Sequence, residues 1–221
     1  MIGLSMTGRS YSEITRREAT IDRLIHLCGI TAACIGSIVL LALIPKSRQA
    51  SLFMPVLAYI LGLLAMLVCS ALHNVLASNK PSSLRRRLDH AAIFLLIAGT
   101  YSPFIGGETK DHGLSLLYAA VWIAAVAGIA AKLFLPNGLE KRLSVALYLG
   151  LGWSAFLYIG PVSTILPPQV LWLIALGGAL YSVGVIFHLC ERLPYQNAIW
   201  HGFVVAGAAV HFLAVSGFVT R

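Results

Sequence analysis

Seven long apolar runs dominate this chain, and a run of roughly 20 apolar residues is what a helix needs to cross a bilayer. The runs are Leu24–Ile44, Leu52–Leu76, His90–Ile105, Leu114–Phe134, Leu143–Ile159, Val170–Cys190 and Ala198–Val219. In hydrocarbon a backbone must satisfy its own N–H and C=O groups, which leaves helices and closed barrels. The runs are continuous rather than alternating, so barrel strands are disfavoured. The expected fold is therefore all-α, a polytopic membrane protein with seven transmembrane helices in one bundle. The third and fifth runs are short and stop near Pro103 and Pro161, where their ends are expected within several residues. Composition agrees: the chain is 58% hydrophobic and 11% charged, with a mean hydropathy of +0.85. These values exclude an ordinary soluble domain.

A net charge of +8 could suggest a nucleic-acid partner, but its placement points elsewhere. With the N-terminus inside, the cytoplasmic loops carry Arg9, Arg16, Arg17, Arg23, Lys80, Arg85, Arg86, Arg87, Lys132, Lys141, Arg142 and Arg192. The opposite side carries Lys46, Arg48, Lys110 and Arg221. Twelve against four is the bias expected when Lys and Arg collect on the cytoplasmic side. The expected topology has a cytoplasmic N-terminus, with membrane lipid rather than nucleic acid as the partner; in a bacterium the site of residence would be the cytoplasmic membrane.

No repeat or linker divides the chain, so residues 1–221 are expected to form one domain. Residues 1–23 form a polar cytoplasmic lead-in, and residues 13–25 place Ile14, Glu18, Ile21 and Ile25 at the spacing of a short interfacial helix. The first apolar run exceeds the core of a signal peptide and is expected to remain as an anchor. Cys28, Cys34, Cys69 and Cys190 lack paired spacing and fall in the runs, where packing is their expected role.

The polar residues inside these runs gather at one level. His26, His73, His90, His188 and His201 all fall at the cytoplasmic ends of their spans, joined there by Asp22, Ser70 and Asp89. Ionisable groups at membrane depth are costly and usually face the interior in pairs. Residues four apart share a helix face, so Asp22 with His26, Ser70 with Asn74, and Asn197 with His201 form three one-face pairs. His211 lies ten residues beyond His201, roughly 15 Å deeper, where a buried hydrogen bond is the expected role.

SALHN at 70–74, RRRLDHAAIFLLIAGTYSPF at 85–104 and NAIWHGFVVAGAAVHF at 197–212 resemble the bacterial hemolysin III proteins, members of the progestin and adipoQ receptor superfamily. The resemblance implies a seven-helix bundle with zinc near the cytoplasmic face. In that pattern a Ser-x-x-x-His ends the second helix, an Asp begins the third and a His-x-x-x-His begins the seventh. The three histidines hold the metal, and Ser and Asp support it. Relatives include receptors and proteins with ceramidase-like amide hydrolysis, in which metal-activated water would be the nucleophile.

Position by position, Ser70, Asp89 and His201 match, whereas the other two ligand positions hold Asn74 and Asn197. A neutral amide oxygen is a poor zinc ligand beside imidazole. A rebuilt set of His73, His201 and Asp89 is conceivable, although neighbouring residues such as His73 and Asn74 point about 100° apart on a helix. His90, Asp22 and His26 complete the polar cluster, and the family pattern does not make Asp22 or His26 ligands. Three functions follow. The first is a zinc-dependent lipid amide or ester hydrolase using Asp89 and Ser70. The second is a non-catalytic protein whose polar cluster locks the helices. The third is a pore, disfavoured because the spans lack a ring of charge or an unwound segment along an ion path.

Overall fold

A computed structural model describes residues 8–45, 48–75, 83–106, 111–135, 140–190 and 192–221, with backbone only for 8–15 and 49. Lys46, Lys80, Lys110 and the end of the second run at Leu76 lie outside the described residues. The helices are α1 (Gly8–Leu43), α2 (Gln49–Asn74), α3 (Ser83–Ile105), α4 (His112–Phe134), α5 (Lys141–Trp153), α6 (Ile159–Ile165), α7 (Pro168–Leu189) and α8 (Gln196–Val219). Among the described residues there is no strand. Seven segments of the described residues are long and apolar enough to cross a membrane: Arg16–Leu43, Ala50–Asn74, Ser83–Ile105, His112–Phe134, Lys141–Ile165, Pro168–Leu189 and Gln196–Val219.

Residues 8–23 continue into the first span as one helix, α1. Its inward stripe is Asp22, His26, Ala33, Ser37 and Leu40, at helical spacing, with buried Ile44 just past its end, while Leu24, Leu27, Ile35 and Ile38 face outward. That outward face suits lipid, and Cys28 and Cys34 share it. α1 packs between α2 and α8; α2 packs most extensively on α3, and α7 on α8. The polar residues expected at one level, Asp22, His26, Ser70 and His201, therefore sit on helices that touch one another.

Small residues set the closest approaches. A Cβ on Gly62 would lie 2.8 Å from the Leu95 carbonyl oxygen, and one on Gly99 would lie 2.8 Å from that of Ala58. α2 and α3 thus meet backbone to backbone, the kind of contact that drives helix association where the hydrophobic effect is absent. Gly177 serves the α7–α8 pair, since a Cβ there would overlap the His211 ring. The His211 Nε2 donates to the Ile174 carbonyl oxygen at 3.1 Å, which answers the cost of an imidazole at depth.

The fifth span is broken. α5 gives way to a 3-10 turn over Ser154–Tyr158 and then to α6. Pro161 does not end the span; it lies in the first turn of α6, where its missing N–H has no intrahelical partner to lose. Tyr101 on α3 holds the break. Its hydroxyl accepts the Ala155 N–H at 3.0 Å and lies 3.0 Å from the carbonyl oxygens of both Leu151 and Gly152. Tyr101→Phe is expected to destabilise the protein by about 1–3 kcal/mol, because backbone groups in an apolar setting lose their partner. Thermal unfolding in detergent, followed by circular dichroism, checks this.

Candidate functional site

α1, α2 and α8 each bring one face into contact at the same end of the bundle. The spacing of four puts Asp22 and His26 on the inward face of α1, and Ser70 on α2 and His201 on α8 meet them. All four are buried, with between 3% and 8% of their surface exposed. The His201 Nδ1–H donates to the Asp22 carboxylate Oδ1 at 2.5 Å. His26 Nδ1 lies 2.8 Å from the Asp22 main-chain oxygen. A carbonyl oxygen only accepts, so this Nδ1 carries the proton and Nε2 offers a lone pair. The Ser70 hydroxyl donates to that Nε2 at 3.1 Å.

His201 Nε2 lies 3.5 Å from the same Ser70 oxygen, on its other side. The two imidazole rings stand edge to face, 4.5 Å between centroids. Asn74, one turn beyond Ser70, donates its side-chain N–H to the Ser70 carbonyl at 2.9 Å and lies 3.4 Å from the hydroxyl. Asn197 contributes through its main chain: its N–H donates to the Glu18 carboxylate at 3.0 Å, which satisfies an open donor in the first turn of α8 and ties α1 to it.

This cluster closes one end of a cavity of about 590 Å³. Ser70, Asn74, Asp89, Asn197 and His201 line that end, whereas Asp22 and His26 stand behind them. Asp89 approaches Ser70 and His201 from α3. His73 and His90 also line the wall. Beyond them the lining is mostly apolar and reaches Phe104, Ile105 and Leu166. Asp89 and Ile105 are sixteen residues apart on α3, so the cavity follows the helix for roughly 24 Å.

The zinc implied by the resemblance can be tested against these side chains. At the three corresponding positions only His201 is an imidazole, its Nδ1 is bonded to Asp22, and Asn74 turns its N–H toward Ser70. These residues do not fit the three-histidine zinc centre. Among the described residues a different group could hold a metal ion: Asp22, His26 and His201 bring one ligand atom each within 4.8 Å of one another. His73 and Asp89 are not in that group. Donors sharing a tetrahedral zinc at 2.0–2.2 Å sit roughly 3.4 Å apart. Asp22 Oδ1 and His201 Nδ1, 2.5 Å apart, are closer than two ligands of one such ion and instead bond each other directly.

Sequence reasoning placed Asp22 and His26 at the right level but set them beside the site, since the family pattern gives them no role. Their spacing of four was the available signal. Lys132, counted from sequence as a loop charge, is buried, with its Nζ 2.5 Å from the Ser144 hydroxyl oxygen. Nothing in its apolar flanks marked it as different from a cation reaching water.

Comparison with known proteins agrees with this architecture. Residues 15–212 match the family described as Haemolysin-III related. Hemolysin-3 of Bacillus cereus is 34% identical over 203 residues, 92% of each chain. The Hemolysin-3 homolog of Bacillus subtilis is 36% identical over 154 residues, 70% of this chain and 72% of its own. The human Monocyte to macrophage differentiation factor is 29% identical over 170 residues, 74% of this chain and 69% of its own. No solved structure matches. With a family match spanning most of its length and seven helices suited to a bilayer, the chain is an integral membrane protein that belongs to the hemolysin III family, within the progestin and adipoQ receptor superfamily.

Proposed function

We propose that this protein hydrolyses an acyl amide or ester bond of a membrane lipid, at the cytoplasmic end of the bundle and in the cytoplasmic membrane. The observation that carries the reading is the junction of two features. A hydrogen-bonded Asp, His and Ser cluster ends a long, largely apolar cavity. Pockets of 300–1,000 Å³ with a few convergent polar groups are typical of small-molecule sites. A helix lock accounts for the cluster but has no use for the cavity. An acyl chain lying along the apolar wall would place its carbonyl among Ser70, Asn74, Asp89 and His201, the groups able to move a proton or stabilise a developing oxyanion there.

The cavity gives a test of its own. Thr100 lines it eleven residues along α3 from Asp89, roughly 16 Å from the polar end. Thr100→Trp should reduce free fatty acid release from reconstituted vesicles at least ten-fold while the protein still elutes as a single folded species. Undiminished release would exclude the cavity as the substrate path.

A second reading rests on the convergence of Asp22, His26 and His201, which would hold a divalent cation and let it polarise a carbonyl or water. Elemental analysis of purified protein distinguishes it. Stoichiometric metal, with activity lost on chelation, would favour this reading over a metal-free centre.

A further inference from the structure

Resting on the lipid-hydrolase reading, the geometry points to Ser70 as a nucleophile, with His201 as its base and Asp22 as the residue that positions that base. Three observations support it independently of any metal. The first is connectivity. Asp22 Oδ1 bonds His201 Nδ1, and His201 Nε2 faces Ser70 Oγ at 3.5 Å. This is the order in which a carboxylate, an imidazole and a hydroxyl act in acyl transfer, and resting nucleophile–base distances are often long.

The second is access. Ser70, Asn74 and His201 line the cavity, while Asp22 and His26 lie behind. The groups that must touch an acyl bond are therefore in front, and those that orient them are shielded. Both histidines offer Nε2 to the hydroxyl, but only His201 can return a proton to a leaving group in the cavity. His26 holds the resting hydroxyl through its 3.1 Å bond and is a positioning residue.

The third is a hydrogen-bond donor beside the nucleophile. The Asn74 side-chain N–H lies 3.4 Å from Ser70 Oγ. A neutral amide is a weak metal ligand but a good hydrogen-bond donor to an oxyanion. The Asn at this position, which disfavours the zinc centre, suits a serine route.

In the first step Ser70 Oγ bonds to the acyl carbonyl carbon as its proton passes to His201 Nε2, and the carbonyl oxygen becomes an oxyanion facing Asn74. Collapse breaks the C–N or C–O bond, and the leaving amine or alcohol takes the proton from His201. Water then attacks the acyl ester on Ser70, giving its proton to His201. Collapse of the second adduct frees the fatty acid and returns the proton to Ser70.

Treating the full-length protein in lipid nanodiscs with an alkyl fluorophosphonate, followed by peptide mass spectrometry, tests this. The expected result is a phosphonyl adduct on Ser70 that forms equally with and without a chelator. His201→Ala should slow labelling at least a hundred-fold. Asp22→Asn should slow it at least ten-fold without changing reversible binding of the matching alkyl phosphonic acid, a split that a purely structural role would not produce. Ser70→Cys, which keeps a side chain of similar size, should instead take an iodoacetamide label faster than Cys69 does. Fatty acid release without any Ser70 adduct would overturn the serine route and leave lipid hydrolysis in place. Absence of both would overturn both. An adduct whose rate is unchanged in His201→Ala would also overturn the assignment.

Discussion

Asp22→Ala is expected to destabilise the protein by about 1.5–3 kcal/mol, the scale of a buried hydrogen bond to a charged group. The reason is what remains. His201 would keep an N–H pointing into a buried site with no carboxylate to receive it, and His26 would lose a charge 3.6 Å from its ring nitrogen. Hydrogen bonds between membrane helices average about 0.6 kcal/mol, so a loss in this range identifies a bond to a desolvated carboxylate. Replacing both residues, with Asp22→Leu and His201→Phe, should cost markedly less than the sum of the single changes, because no polar group of the pair is orphaned. Reversible unfolding in mixed micelles of the two single variants and the double variant gives the coupling. Additive losses would mean that the pair is not a unit.

The second large effect is expected where α2 meets α3. Gly62→Ala should destabilise by about 1–3 kcal/mol, and Gly99→Ala similarly, because the new methyl meets main-chain atoms that cannot rotate aside. The cost appears even though Ala is the better helix former by about 1 kcal/mol. Gly150 and Gly202 have nothing within 4 Å, so alanine there isolates the propensity gain and should be neutral or stabilising. Because α2 carries Ser70 and α3 carries Asp89, forcing these helices apart should also reduce any activity at the site. Thermal midpoints of the four variants in one detergent decide the matter.

The spans were legible because the cost of an exposed backbone in lipid writes itself into sequence as unbroken apolar length. The end near Pro161 was less legible. A proline in the first turn of α6 reads the same as one that terminates a helix, and the turn before it depends on Tyr101, a residue from another span. Levels were legible too: Ser70, His201, Asp22 and His26 were expected at one membrane face, and the structure joins them. What spacing could not give was azimuth, the direction each helix turns its face. That is why His73 and Asp89 looked more eligible beside His201 than Asp22 did, although it is Asp22 that holds His201 directly. The α2–α3 contact was hidden for a similar reason. Gly62 and Gly99 lie on different spans, and only packing shows that each meets the other helix's backbone.

Lipid hydrolysis at this site is read most directly by mass-spectrometric detection of free fatty acid from protein reconstituted with amide- and ester-linked lipids, comparing wild type with His201→Ala. The wild type should release fatty acid over time, and release should fall at least a hundred-fold in the variant while both remain folded. Equal release by the two proteins, or none from either lipid class, would contradict it.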